Sequence, residues 1–180
     1  APVALHVNWP NMTPFRAFFI TQSDEEQMKA RDEAIKAIAD AFDDARAYAR
    51  ARDAENTAGV PKHDADVRWE GMRKALAGEI PVVFHADALA QIHAVLKFAD
   101  SQGLKNIVIL GGYDAPLVAD ELKRRNIAVI VAGVLAMPRR GDEAYDGAFT
   151  IAGKLAAAGV RFCIADDGGA GSSYNSRNLP

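Results

Sequence analysis

The feature that most constrains the fold is a short apolar run at residues 81–84, PVVF, which ends at His85. Its valines and its length are typical of a β-strand, and consecutive apolar side chains indicate that both faces of that strand are covered. Such strands belong to buried parallel sheets, in which functional residues collect at the carboxyl ends of the strands. The run therefore predicts an α/β fold with His85 at the functional edge of the sheet.

Strand and helix patterns alternate through the second half of the chain. The predicted strands are residues 80–85, 106–110, 128–132 and 161–165, and the predicted helices are residues 88–102, 115–125 and 149–158. A βαβ unit needs a crossover connection, which makes its strands parallel. With one more strand predicted at residues 3–8, the pattern indicates a five-stranded parallel sheet.

The first half carries a long amphipathic helix that is predicted to run from Ser23 to about residue 55. Ser23 and Glu26 have the S-x-x-E spacing of a capping box. A loop at residues 56–66 and a short helix at residues 67–77 follow. We therefore divide the single predicted domain into residues 1–79, a strand with the long helix and a linker, and residues 80–180, the βα units that carry the site edge.

Other conspicuous side chains receive structural interpretations. An aromatic cluster in the segment after the first strand is typical of a core or of a lid over a core. Leu117 is predicted to face inward from its helix, and Cys163, inside an apolar strand, is interpreted as a small hydrophobic residue rather than a nucleophile. His63 is assigned to a polar loop and His93 to a structural role in a helix. The aromatic cluster consists of Phe15, Phe18 and Phe19.

Composition limits the classes of function. The 180 residues include 21 basic and 24 acidic ones, for a net charge of −3, and without a basic stripe nucleic acid is not an expected partner. No apolar run reaches the roughly 20 residues that span a bilayer, so no membrane partner is expected either. The single cysteine excludes an intrachain disulfide and leaves cytoplasm and periplasm both open. The start at Ala1 and the end just after a Gly/Ser-rich loop predict a fragment of a longer protein.

Chemistry is expected where the parallel strands end. A histidine and a carboxylate that converge on one edge can hold a divalent metal ion or act as an acid–base pair. Side chains alternate along a strand, so only one of Asp166 and Asp167 can point into such a site. The glycines do not form the G-x-G-x-x-G fingerprint, so a dinucleotide site is not indicated. The predicted edge collects Asn8, His85, Gly111, Gly112, Gly133, Asp166 and Asp167.

Four segments resemble the imidazolonepropionase-like branch of the metal-dependent amidohydrolases. They are PVVFHAD at residues 81–87, NIVILGGYDA at 106–115, RFCIADDGGA at 161–170 and NSRNLP at 175–180. The fold of that family is a (β/α)8 TIM barrel with a small β-sandwich built from both chain ends. The resemblance therefore implies that the five predicted strands are the C-terminal part of such a barrel, about strands four to eight.

The resemblance also implies functional roles. His85 matches the metal-ligating histidine of the fifth strand, and Asp167 matches the eighth-strand aspartate that touches the metal and shuttles protons. Gly112, Tyr113 and Asn178 are predicted to bind the substrate. The implied cofactor of the full-length parent is a divalent metal ion, with zinc expected, and the implied reaction is hydrolysis of an amide or cyclic-amide C–N bond by metal-activated water. Leu110-Gly111-Gly112 stands where the family carries a sixth-strand histidine.

Two alternatives stay open on the sequence. One is a barrel without metal that serves as a small-molecule binding module. The other is a self-contained flavodoxin-like domain, whose strand order would be 2-1-3-4-5. A fragment of a barrel is expected to be inactive alone, and its two unpaired sheet edges predict association with another copy of the chain.

Overall fold

The strands form one parallel sheet in a computed structural model that describes residues 2–55, 57, 59, 61–62, 64–134 and 137–165. They lie side by side in chain order, β1-β2-β3-β4-β5, and every neighbouring pair is parallel. The predicted five-stranded parallel sheet is confirmed, and the flavodoxin-like alternative is wrong because the sheet has sequential strand order. The strands are β1 (Leu5–Asn8), β2 (Val82–Ala86), β3 (Ile107–Gly111), β4 (Ala128–Ala132) and β5 (Phe162–Ala165).

Helices occupy the predicted positions between the strands. The helix before β4 and the helix before β5 both begin with a 3₁₀ turn, at Ala115–Val118 and Ala148–Thr150 respectively. The capping box of α1 is confirmed, because the Ser23 hydroxyl accepts a hydrogen bond from the Glu26 backbone N–H at 3.1 Å and the Glu26 carboxylate accepts one from the Ser23 N–H at 2.8 Å. The helices are α1 (Asp24–Ala54), α2 (Val67–Leu76), α3 (Leu89–Ser101), α4 (Ala119–Arg124) and α5 (Ile151–Ala158).

The core lies between one face of the sheet and the helices. The register places Phe84 beside Ile109 and Ile109 beside Val129, and all three side chains are fully buried. An aromatic group made of Trp9, Phe42, Phe84 and Phe98 fills the space between β2, α1 and α3, with ring centroids 5.1 to 6.1 Å apart. This packing fixes β2, and with it the position of His85, against the helices.

The other face of the sheet is open. Because successive side chains of a strand point to opposite faces, His6 and Asn8 of β1 lie on this face together with His85 of β2. The His6 and Asn8 side chains are exposed, and His85 is half-buried. In a closed barrel this face would point into the interior. Val83 of β2 lies on this face and is buried, whereas the outer strands leave side chains such as His6 and Cys163 exposed on it.

Two predictions about burial are wrong, and one residue interpreted as hydrophobic lies at the surface. Leu117 is 66% exposed, because the 3₁₀ turn that contains it changes the angular spacing of side chains before α4 begins. Phe15, Phe18 and Phe19 are exposed: the Phe15 backbone is hydrogen-bonded to the Gln27 side chain, and the three rings lie outside the core. Cys163 is exposed because β5 is an edge strand and the residue lies on the open face of the sheet.

None of the helices in the described residues is long and apolar enough to cross a membrane.

Candidate functional site

Parallel register brings the predicted residues to one edge of the sheet. Asn8 pairs with His85, and Ala86 pairs with Gly111 on the other side of β2. The predicted convergence of Asn8, His85 and Gly111 is therefore confirmed. The described residues do not include Asp166, Asp167, Asn178 or His63, so the roles predicted for them stay predictions.

A cavity of about 570 Å³ opens at this edge. It is lined by the side chain of His85, by Asp87 just after β2, and by Arg139 from the loop after β4. Imidazole, carboxylate and guanidinium thus border one space at the carboxyl ends of three strands, where ligands bind in α/β proteins. The other lining residues are Asn11, Ala86, Ala88, Gln91, Leu110, Gly111 and Ala132.

The buried side chain of Gln91 ties the segment after β1 to the segment after β2. Its amide nitrogen donates to the carbonyl oxygens of Trp9 and Pro10, at 3.2 Å each. Its amide oxygen accepts from the backbone N–H groups of Asp87 and Ala88, at 3.1 Å each. This role was not predicted from the sequence, although an amide residue in the first turn of a helix is a known capping signal.

His85 lies against a second imidazole that was not assigned to the site from the sequence. The Nδ1 atom of His6 is 2.9 Å from the Nε2 atom of His85, and the ring centroids are 5.2 Å apart. The pKa of His85 is lowered by burial and by the neighbouring His6, against a raising effect of Asp87. His6 and His85 are diagonal neighbours across β1 and β2 on the same face, a relationship that the register alone predicts.

Asp87 connects β2, β3 and the loop after β4. One carboxylate oxygen accepts from the Tyr113 backbone N–H at 3.3 Å, and the other pairs with Arg139 at 3.0 Å. The Arg139 guanidinium also lies 4.5 Å from the centre of the Tyr113 ring, within the range of a cation–π contact. Arg139 is therefore held at the cavity by two independent contacts.

A second ion pair, which we call the arginine clamp, joins Asp114 to Arg140. Arg140 donates two hydrogen bonds to the Asp114 carboxylate, at 2.9 and 2.7 Å, and the backbone N–H of Leu89 adds a third at 2.9 Å. Burial raises the pKa of Asp114, but the Arg140 and Leu89 hydrogen bonds and the charge of Arg140 outweigh it and leave the pKa below its usual value. The clamp fixes the loop after β4 to the ends of β2 and β3.

Glu143 extends the clamp. It pairs with Arg140 and accepts a hydrogen bond from the Tyr113 hydroxyl at 2.7 Å. That hydrogen bond is the first cause of the lowered pKa of Glu143, and it raises the pKa of Tyr113. No role was predicted for Arg140 or Glu143, because nothing local to residues 137–143 indicates that they contact the end of β3.

The two adjacent glycines provide space for protein atoms. Gly111 has φ +103°, and a Cβ there would lie 2.5 Å from the Oδ1 atom of Asp87. Gly112 has φ +63°, and a Cβ there would lie 2.5 Å from the Cγ1 atom of Val129. Gly112 and Tyr113 are buried and lie beside the residues that line the cavity; their substrate contacts stay a prediction.

The side chains at the edge include the kind of atoms that bind a metal ion, but too few of them come together. His6 and His85 present nitrogen donors, and neutral imidazole is a common ligand of zinc and of other transition metals. Within the described residues, no group of three or more His, Cys, Asp or Glu side chains converges closely enough to hold a metal ion. Asp167, the other predicted ligand, lies beyond those residues.

A larger cavity, about 770 Å³, lies between α1 and α2, away from this edge. Three of its charged side chains pair with one another: Arg73 lies 2.6 Å from Asp53 and 3.0 Å from Glu70. Because the described residues that line this cavity include no imidazole, the edge with His85 is the better candidate for chemistry.

Comparison with known proteins supports this architecture. No protein-family profile and no curated protein sequence matches the chain. A crystal structure of an amidohydrolase from Thermotoga maritima MSB8 is similar, with a TM-score of 0.71 and 20% sequence identity over 93% of this chain and 42% of that chain. The chain thus spans less than half the length of that amidohydrolase. At this identity the likeness shows the fold alone: the parallel βα sheet described above matches part of that structure, as expected for part of a (β/α) barrel.

Proposed function

We propose that the intact protein is an amidohydrolase-type hydrolase that acts on amide or cyclic-amide C–N bonds of a small molecule. The observation that carries the proposal is the position of His85, which lies at the carboxyl end of β2 and lines the edge cavity together with Asp87. The similarity to an amidohydrolase structure adds support at the level of the fold. The finer assignment to the imidazolonepropionase-like branch rests on the sequence motifs.

The proposed reaction uses a divalent ion, with zinc expected, held by His85 and Asp167. When bound, such an ion lowers the pKa of a water ligand to about 7 and polarises the substrate carbonyl. The Asp167 carboxylate would take the proton of the attacking water and return it to the leaving nitrogen. Gly112, Tyr113 and Asn178 are the proposed substrate contacts.

Replacing His85 with Gln tests this proposal. We expect the intact protein to hydrolyse at least one member of a panel of N-acyl amino acids, dipeptides and cyclic amides, and His85→Gln to lower kcat/KM by about 100-fold or more because a metal ligand is lost. His93→Gln is the matched control, since His93 lies on the exposed side of α3. Equal activity of the two variants would contradict the role of His85.

A metal-free binding module is the second candidate. The observation that favours it is that only a pair of imidazoles, and no group of three metal-binding side chains, converges in the described residues. Metal analysis of the purified intact protein separates the two candidates. A divalent ion at close to one per chain supports the hydrolase, whereas protein that binds panel molecules without any divalent ion supports the binding module.

We further propose that the outer edges of β1 and β5 pair with another copy of the chain. In the residues that the structure describes, each of these strands has a single strand neighbour, so half of its backbone groups face away from the sheet. Unpaired edges of this kind favour strand-to-strand association. We expect light scattering to show a mass that rises with concentration, and a strictly monomeric mass at high concentration would contradict the proposal.

A further inference from the structure

We infer that Arg139 binds a carboxylate group of the substrate, so that the protein acts on amide-containing acids such as N-acyl amino acids and dipeptides. The inference rests on the proposed function for the amide reaction, and it adds a recognition residue from the loop after β4. The observation that carries it is that Arg139 lines the same cavity as His85 while part of its guanidinium stays unoccupied.

The edge cavity offers an anion a single arginine. Among the described residues that line the cavity, Arg139 is the one lysine or arginine, and its side chain is 44% exposed. The cavity volume of about 570 Å³ lies within the range of small-molecule sites, roughly 300–1,000 Å³. Because His85 borders the same space, one small molecule can contact both the imidazole and the guanidinium.

The guanidinium of Arg139 keeps hydrogen-bond donors available for a ligand. Its ion pair with Asp87 joins the Nη1 atom to the Oδ2 atom at 3.0 Å. In the part of the chain that the structure describes, neither the Nε atom nor the Nη2 atom of Arg139 makes a hydrogen bond. These two N–H groups lie in one plane, and their spacing matches the two oxygens of a carboxylate.

Neighbouring contacts hold Arg139 in position before a ligand binds. Its backbone N–H donates to the Oε2 atom of Glu143 at 2.8 Å, and the Tyr113 hydroxyl donates to the same oxygen at 2.7 Å. The guanidinium carbon lies 4.5 Å from the centre of the Tyr113 ring. Because both the backbone and the side chain of Arg139 are fixed, little conformational entropy remains to be lost on binding.

The surroundings favour a carboxylate over a phosphate. Asp87 offsets part of the charge of Arg139, and the arginine clamp uses the neighbouring guanidinium. The backbone N–H groups at the start of α3, which could otherwise bind a phosphate, already donate to the side chains of Gln91 and Asp114. One partly neutralised guanidinium suits a group with a single negative charge.

A purely structural ion pair is the rival explanation for Arg139. In that case the residue only holds Asp87 and the loop after β4, and its removal would weaken the binding of acids and of neutral amides alike. Recognition of a carboxylate predicts instead a loss that is confined to the acids. Comparison of each acid with its own primary amide therefore separates the two explanations.

The test measures ligand binding and not turnover. The intact protein, kept with a chelator to stop metal-dependent hydrolysis, is titrated calorimetrically with a panel of N-acetyl amino acids and with their primary amides. We expect at least one acid to bind about tenfold or more tightly than its amide, because only the acid forms charge-assisted hydrogen bonds with Arg139. We expect Arg139→Gln to remove this preference by weakening the acid alone.

Two further variants serve as controls. Arg139→Lys keeps the charge but not the planar fork, and it is expected to retain part of the preference for the acid. Arg124→Gln replaces an exposed arginine of α4, away from the cavity, and is expected to leave the preference unchanged. No preference for any acid in the wild-type protein, or equal losses for acid and amide in Arg139→Gln, would overturn the inference.

A measurement on the wild-type protein guards against misfolding of a variant. Phenylglyoxal modifies accessible arginines, and digestion with mass spectrometry reports each arginine separately. We expect the bound acid, but not its amide, to protect Arg139 and to leave Arg124 reactive, and modification of Arg139 that is insensitive to the acid would contradict its role. Acid binding that depends on Arg139, without hydrolysis of any panel substrate, would leave this inference standing and contradict the proposed function.

Discussion

Arg140→Gln is expected to lower the free energy of unfolding by about 2 kcal/mol, less than for a fully buried ion pair, because Asp114 is buried but the half-exposed Arg140 is screened by solvent. The Asp114 side chain is only 4% exposed and receives two hydrogen bonds from Arg140. The substitution would remove both of these charge-assisted bonds, while the backbone N–H of Leu89 would still donate to the carboxylate. Urea denaturation of the two proteins gives the difference.

Two further variants identify the source of that loss. Arg124→Gln removes an exposed ion pair with Glu121, 3.7 Å apart, and is expected to change stability by less than about 0.5 kcal/mol. Adding Asp114→Asn to Arg140→Gln removes the unpaired charge and is expected to recover part of the lost stability. A loss in Arg140→Gln no larger than that in Arg124→Gln would mean that the clamp does not stabilise the fold.

The clamp also predicts a dependence on pH. Because the folded-state pKa of Asp114 is lowered, the stabilisation from its ionised form is fully present above the unfolded pKa of about 3.9. It is lost as the pH falls through the lower folded-state value. We therefore expect the stability difference between wild type and Arg140→Gln to shrink below about pH 4, and a difference that stays constant to about pH 2 would contradict this account.

Phe84→Ala is expected to lower the free energy of unfolding by about 4 kcal/mol, since truncation of a buried phenylalanine typically costs roughly 3–5 kcal/mol. The ring is fully buried and makes edge-to-face contacts with Trp9 and Phe98, with centroids 5.9 and 6.1 Å apart. A cavity at this position would separate β2 from α3. Thermal and urea denaturation both report the change.

The chain supplies a matched control for this substitution. Phe18 is fully exposed, so Phe18→Ala removes the same side chain without opening a cavity and is expected to change stability by less than about 0.5 kcal/mol. Phe84→Leu keeps most of the volume and is expected to cost less than Phe84→Ala. Similar losses in Phe84→Ala and Phe18→Ala would contradict the packing described for the core.

Local patterns predicted the elements well because their physical causes are local. The consecutive apolar residues predict a buried strand, and Val82, Val83 and Phe84 of β2 are buried. The Ser23 and Glu26 side chains satisfy backbone groups within one helical turn, so a four-residue motif suffices to locate the start of α1. Crossover connections make the strands parallel, and this rule alone predicts that His85, Asn8 and Gly111 lie at one edge of the sheet.

Contacts between distant parts of the chain were missed. The arginine clamp forms because the loop after β4 brings Arg140 back to Asp114. The contact between His6 and His85, which are 79 residues apart in the chain, depends on the register of β1 and β2. The exposure of Leu117 and of Cys163 was not predicted either. Leu117 lies in a 3₁₀ turn, and Cys163 lies in a strand at the edge of the described sheet.

The amino-acid sequence by itself determined the parallel βα architecture and the edge at which its polar residues meet, because periodicity and crossover geometry act over short stretches. Only the tertiary structure decided which groups touch at that edge. The approach of His6 to His85, the pairing of Asp87 with Arg139 and the burial of Asp114 under Arg140 all follow from strand register and loop path, which depend on the packing of the whole sheet.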